Sequence, residues 1–170
     1  LGGLGYGGGV CTAAGARDFE GVAVHRGPRV PGVDPAARGP SPGRFLADLL
    51  LLGTAGRVLR RARPCLILAH RHGGALVGGI LGRFHRIPCV AELPGSVTRE
   101  LAARGFARRS PVVHAGLRAL ERWIDGLPDH LVVRSALMAA DLRLRFGIPS
   151  QRITLVPDTA ARGFGAERPA

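Results

Sequence analysis

Apolar positions recur at helical spacing through Ala136–Phe146, where Leu137, Met138, Leu142 and Phe146 alternate with Asp141, Arg143 and Arg145. Leu131-Val132-Val133 before it is a short apolar run, and Ile153-Thr154-Leu155-Val156 after it is an extended run that Pro157 ends. Ser135 is a good N-cap, Arg143 and Arg145 suit the negative end of a helix dipole, and Gly147 falls where a left-handed residue closes a helix. Ile148-Pro149 then blocks continuation. Leu131–Asp158 is therefore expected to fold as strand, helix and second parallel strand.

The same punctuation appears upstream. Cys65-Leu66-Ile67-Leu68-Ala69 is apolar without polar alternation, as expected of a parallel strand covered on both faces. Gly73–His85 places Leu76, Val77, Ile80, Leu81 and Phe84 on one helical stripe, and Ile87-Pro88 breaks it before a strand at Cys89–Leu93. Phe45–Ala62 reads as a helix through its leucines, and Val112–Gly126 through Val113, Leu117, Leu120, Trp123 and Ile124. Val10–Ala14 and Val22–His25 are short strand candidates, while Gly27–Gly43, dense in Gly and Pro, reads as a loop. The alternation predicts the α/β class: an open, Rossmann-like parallel sheet with helices on both faces. Its neighbouring strands are Cys65–Ala69, Cys89–Leu93, Leu131–Val133 and Ile153–Val156.

A chain of 170 residues suits a single domain. Residues 10–160 are expected to form it, after a Gly-rich start at 1–9 that reads as frayed or truncated and before a tail or linker at 161–170. The start lacks a preceding strand and a following Lys-Ser/Thr, so a Walker loop is excluded. The net charge of +12 invites a nucleic-acid reading, but all 24 basic residues are Arg and Lys and Asn are absent, a pattern of GC-rich codon usage. Tyr6 and Trp123 stand alone, so no aromatic platform accompanies the charge and no nucleic-acid partner is expected. Cys11, Cys65 and Cys89 lack CxxC spacing and read as buried, reduced thiols of a cytoplasmic protein. Leu49–Leu52 falls far short of the roughly 20 apolar residues of a membrane span.

In open α/β sheets ligands bind beyond the carboxyl ends of the strands. Four such places carry the candidate site: His70-Arg71-His72-Gly73-Gly74, Pro94-Gly95-Ser96, Arg134-Ser135 and Pro157-Asp158. His70 and His72 admit a metal reading if Glu92, Asp129, His130 or Asp158 supplies further ligands, although no spaced cluster supports one. His70 is otherwise a crevice residue or a packed histidine. Gly73-Gly74 at a helix start offers backbone N–H groups to an anion, or simply permits close packing. Glu92 can accept a hydroxyl proton or bond a sugar, and can equally be an ion-paired carboxylate. Ser96, with Glu100, can serve either the site or a helix N-terminus.

The order of a strand ending in AH, a Gly-rich helix, GRFHRIPCVAELPGS and LVVRSALMAADLRLRFGIPSQRITLVPD resembles the N-terminal domain of GT-B glycosyltransferases of the family-four type. The resemblance runs over Val10–Ala160 and implies one half of a GT-B fold, the acceptor side. It implies transfer of a sugar from a nucleotide-sugar donor to an acceptor with retention, without a required metal or other cofactor. It also implies a separate C-terminal domain for the donor, and glycan or lipid-linked acceptors of bacterial cell-envelope synthesis at the inner face of the membrane. His70, Gly95, Ser135 and Pro157-Asp158 match family positions, with the last pair expected at the interdomain cleft. Pro94 stands where the family has His, and Thr159-Ala160 where it has Gly-Val. Peripheral membrane contact is expected through the Arg57–Arg63 and Arg104–Arg109 clusters. A noncatalytic module for anionic ligands and a His-based metal hydrolase are the other readings.

Overall fold

The computed structural model describes residues 7–13, 18, 21–32, 42–103, 105 and 110–157. Asp158, Arg104, residues 106–109 and the 161–170 tail lie outside the described residues.

Two strands, β1 (Gly9–Thr12) and β2 (Ala23–Arg26), pair in parallel. Helix α1 (Pro42–Ala62) follows, then β3 (Ile67–His70), α2 (Arg71–His85), β4 (Cys89–Leu93), α3 (Val97–Ala103) and α4 (Pro111–Asp125). The chain closes its described part with β5 (His130–Val133), α5 (Ala136–Leu144), a 3-10 turn at Ser150–Arg152 and β6 (Ile153–Leu155). The second sheet has the order β3-β4-β5-β6 and every pairing is parallel. This is the expected Rossmann-like α/β domain, with five α-helices flanking its sheets among the described residues.

The local chemistry of α5 shows why the boundaries fall where they do. Ser135 Oγ accepts the Met138 N–H at 3.2 Å, which satisfies one of the unpaired donors at the helix start. Gly147 has φ +71°, and the Ile148 N–H returns to the Leu142 carbonyl at 3.0 Å, so the turn ends in a left-handed residue as expected. Met138, Leu142 and Phe146 are buried, whereas Leu137 is exposed.

The main core joins Leu76 of α2, Cys89, Ala91 and Leu93 of β4, Leu131 and Val133 of β5, and Met138 and Leu142 of α5. Burial alternates along β4, with Val90 and Glu92 only half-buried, so the alternate positions form a second, more accessible face. Leu68 on that face is 65% exposed.

Phe84 and Cys65 depart from the sequence pattern. Phe84 is exposed, because α2 meets its neighbours through small residues instead: Gly78 and Gly82 pack over Cys89, and Gly79 touches Leu127. Cys65 lies before β3 and is exposed, whereas Cys89 is buried and Cys11 half-buried, so only part of the thiol expectation holds. No helix of the described chain is long and apolar enough to cross a membrane.

Candidate active site and a buried polar cluster

Parallel register places His70 directly opposite Glu92, and Glu92 opposite Val132, at the carboxyl ends of three adjacent strands. His70 Nδ1 lies 3.1 Å from Glu92 Oε2. Arg134, the residue after β5, donates through Nε to Glu92 Oε1 at 2.6 Å, and its second nitrogen lies 2.5 Å from the same oxygen. The hydrogen bond from Arg134, helped by His70 and by the charge of both, holds the Glu92 carboxyl below its ordinary range despite some desolvation. Glu92 is thus an ionised, ion-paired carboxylate flanked by a ring nitrogen and a guanidinium. His70 keeps 60% of its side chain exposed, so the cluster opens to solvent from the histidine side.

The chain turns sharply at this edge. Helix α2 starts at Arg71 with no intervening loop, and Arg71 takes the left-handed φ of +62° that side chains rarely adopt. The turn separates the two histidines expected to act together. His70 faces Glu92, whereas His72 lies between α2 and α4 beside Glu121 and Asp125. The metal reading built on both histidines therefore has no shared site. Asp129 accepts the Cys89 N–H, and His130 pairs with Thr154 across β5 and β6.

The remaining candidates take local roles. Ser96 Oγ accepts the Arg99 N–H and caps α3, and Ser135 caps α5. Gly95 precedes α3 with open space around it, and Pro157 is exposed after β6. Gly74 packs at ordinary contact distance on Ala69 of β3. At Gly73 a Cβ would stand 2.5 Å from Asp48 Cγ, so the chain's own carboxylate from α1 covers this start of α2. An external anion would compete with Asp48 there.

The pattern of apolar residues missed the polar cluster around His72. Glu121 and Asp125 are one turn apart on α4 and are 3% and 0% exposed. Glu121 accepts the N–H groups of Val97 and Thr98 at 2.8 and 3.0 Å and the Thr98 hydroxyl, so it supplies the anion at the start of α3. Burial pushes the Glu121 carboxyl up, but the polar contacts from His72, Thr98 and Ser96 and the charge of His72 outweigh it and set it at about 2. Burial pushes the Asp125 carboxyl up to about 7, with His72 opposing and Glu121 reinforcing. An i,i+4 acid pair on the same stripe as Leu117 and Ile124 was the available signal.

A concavity of about 360 Å³ lies elsewhere, lined by Arg83, Ala119, Arg122, Trp123, Gly126 and Leu127. It touches none of the strand-end residues, and its walls lack a paired acid.

Comparison with curated proteins finds no match. The model of Glycosyltransferase Family 4 matches residues 9–158, a span that takes in both sheets and the whole strand-end cluster; by this match the chain belongs to that glycosyltransferase family.

Proposed function

We propose that this domain forms the acceptor side of a retaining glycosyltransferase that moves a sugar from a nucleotide-sugar donor to a glycan or lipid-linked acceptor. The observation that carries the reading is the His70–Glu92–Arg134 cluster at the carboxyl edge of β3, β4 and β5, in a chain of this family. An acceptor hydroxyl placed there would donate to Glu92, which Arg134 keeps ionised and oriented, while His70 bonds a second hydroxyl from the solvent side. Catalysis then rests on positioning the nucleophilic oxygen against a donor held by a second α/β domain, with no metal required. Work on cell-envelope acceptors would put the protein in the cytoplasm at the inner face of the membrane.

The test is glycosyl transfer by the protein together with its donor-binding domain, using a panel of nucleotide-sugars with carbohydrate and polyprenyl-phosphate acceptors in chelator. Product with retained anomeric configuration is expected, and the Glu92→Gln variant should form it roughly 10²-fold less efficiently. Transfer that is unchanged in Glu92→Gln and His70→Ala would place the acceptor elsewhere.

A further inference from the structure

We propose that His72, Glu121 and Asp125 form a buried binding site for one divalent cation of the zinc class. The site is separate from the strand-end cluster and does not depend on the proposed acceptor role. Its ligands come from the first turn of α2 and from successive turns of α4, two helices that pack together.

Distances and chemistry agree. Ligand atoms held about 2.0–2.1 Å from a zinc ion at tetrahedral corners stand about 3.3–3.4 Å apart. His72 Nε2 lies 3.4 Å from Glu121 Oε1 and 3.3 Å from Asp125 Oδ1, and the three ligand atoms all fall within 4.8 Å of one another. One imidazole and two carboxylates form a donor set suited to zinc and its neighbours, and three protein ligands leave the fourth corner to water.

The second observation is the state of these atoms. His72 Nε2 and both carboxylate oxygens of Asp125 are buried, and none meets hydrogen-bond geometry. Buried polar groups are otherwise nearly always satisfied, and a carboxylate with no exposed surface is the most demanding of them. A dication at the centre of the three would satisfy His72 Nε2 and Asp125 Oδ1, its bound water could donate to Asp125 Oδ2, and the ion would offset both negative charges. Glu121 is already held in place, because the Val97 N–H bonds its Oε1 and the Thr98 N–H and hydroxyl bond its Oε2. The bound ion would tie α2 to α4 and, through Glu121, to the start of α3.

A shared proton is the competing occupant, with an imidazolium set between the two carboxylates. The experiment separates the two. Protein freed of metal by chelator is titrated with Zn²⁺ by calorimetry, its thermal unfolding is followed with and without Zn²⁺, and Co²⁺ is added as a spectroscopic probe. One equivalent bound, a rise in Tm and the visible spectrum of tetrahedral Co²⁺ are expected. The isosteric Asp125→Asn variant, and His72→Gln as a second, should bind at least about tenfold more weakly. Circular dichroism confirms that each is folded, and the Co²⁺ spectrum of the unaltered protein decides the matter if neither is. No zinc-dependent shift, or one undiminished by either substitution, overturns the site. A variant Asp125→Asn that is stabilised in chelator, beside an unaltered protein that ignores Zn²⁺, assigns the cluster to the proton.

Discussion

His70 and Glu92 are register partners on adjacent parallel strands, and Nδ1 of the first lies 3.1 Å from Oε2 of the second. Neither is needed for packing: His70 is exposed, and the Glu92 side chain lies on the accessible face of β4. Replacing either should therefore separate activity from stability. His70→Ala and Glu92→Gln are expected to lower kcat/KM for transfer by roughly 10²-fold, the low end of what a positioned acid–base group contributes. The unfolding free energy from urea titration should change by no more than about 0.5 kcal/mol, as for other surface substitutions. A variant that unfolds instead would make the residue structural.

Arg134 sets the ionisation of its neighbour. The folded Glu92 carboxyl titrates below its ordinary value of 4.5, with the Arg134 hydrogen bond as the leading cause. A depressed carboxyl contributes stability above the unfolded value, and that contribution disappears as pH falls through the folded one. Arg134→Gln should raise the Glu92 titration midpoint toward 4.5 and reduce the acid sensitivity of stability below it. Carboxyl NMR titration of both proteins measures the shift, and an unchanged midpoint would detach Glu92 from Arg134.

Element boundaries followed from local chemistry, since Ser135, Gly147, Pro88 and Pro149 each mark one with their own stereochemistry. The strand-end rule also singled out His70 and Arg134, and Glu92 stood out as the only acid in its strand. Their pairing did not follow, because it depends on register, which sequence spacing leaves undetermined. In α4 the apolar pattern misled. Val113, Leu120 and Trp123 are exposed, while the buried stripe carries Glu121, Ile124 and Asp125. Hydrophobicity cannot identify a helix face whose interior partner is a histidine on another helix. Arg71 gave no warning either, since nothing but its φ marks it as left-handed where Gly or Asn is usual.

Two glycines should respond to alanine with opposite signs. At Gly79 a Cβ would stand 2.5 Å from Leu127 Cβ and 3.1 Å from its carbonyl carbon, so α2 would have to lift from the turn before β5. Gly79→Ala is expected to cost about 1–3 kcal/mol, as overpacking does. Gly53 in α1 has nothing within 4 Å of a Cβ. Gly53→Ala should therefore gain up to about 1 kcal/mol from helix propensity. Chemical denaturation of the two variants checks both signs.

The cysteines should differ in reactivity. Burial, helped by the Asp129 charge, pushes the Cys89 thiol up to about 11. The thiolate is the nucleophile that displaces iodide from iodoacetamide, so Cys89 should stay unmodified at pH 8 while exposed Cys65 is labelled, as peptide mass spectrometry would show. Labelling of Cys89 at a rate equal to that of Cys65 would contradict its place in the core.

Helix α1 presents one continuous exposed stripe. Leu46, Leu49 and Leu50 are followed on the same face by Gly53, Arg57, Arg60 and Arg61, at offsets of three, four, seven, eleven, fourteen and fifteen residues from Leu46. Apolar side chains at one end and cations at the other match the boundary of an anionic membrane, where each Arg near the headgroups contributes about 1 kcal/mol. The helix is too polar to span a bilayer, so contact would be peripheral. Sedimentation with vesicles is expected to show binding to anionic lipid that weakens with salt, and little binding to neutral lipid. Arg60→Glu with Arg61→Glu should abolish most of it, while Leu49→Ser with Leu50→Ser should weaken binding at all salt concentrations. These four side chains are exposed, so the variants should keep their unfolding midpoints. Binding indifferent to lipid charge and to both pairs of substitutions would leave the stripe as a solvated surface of an arginine-rich chain.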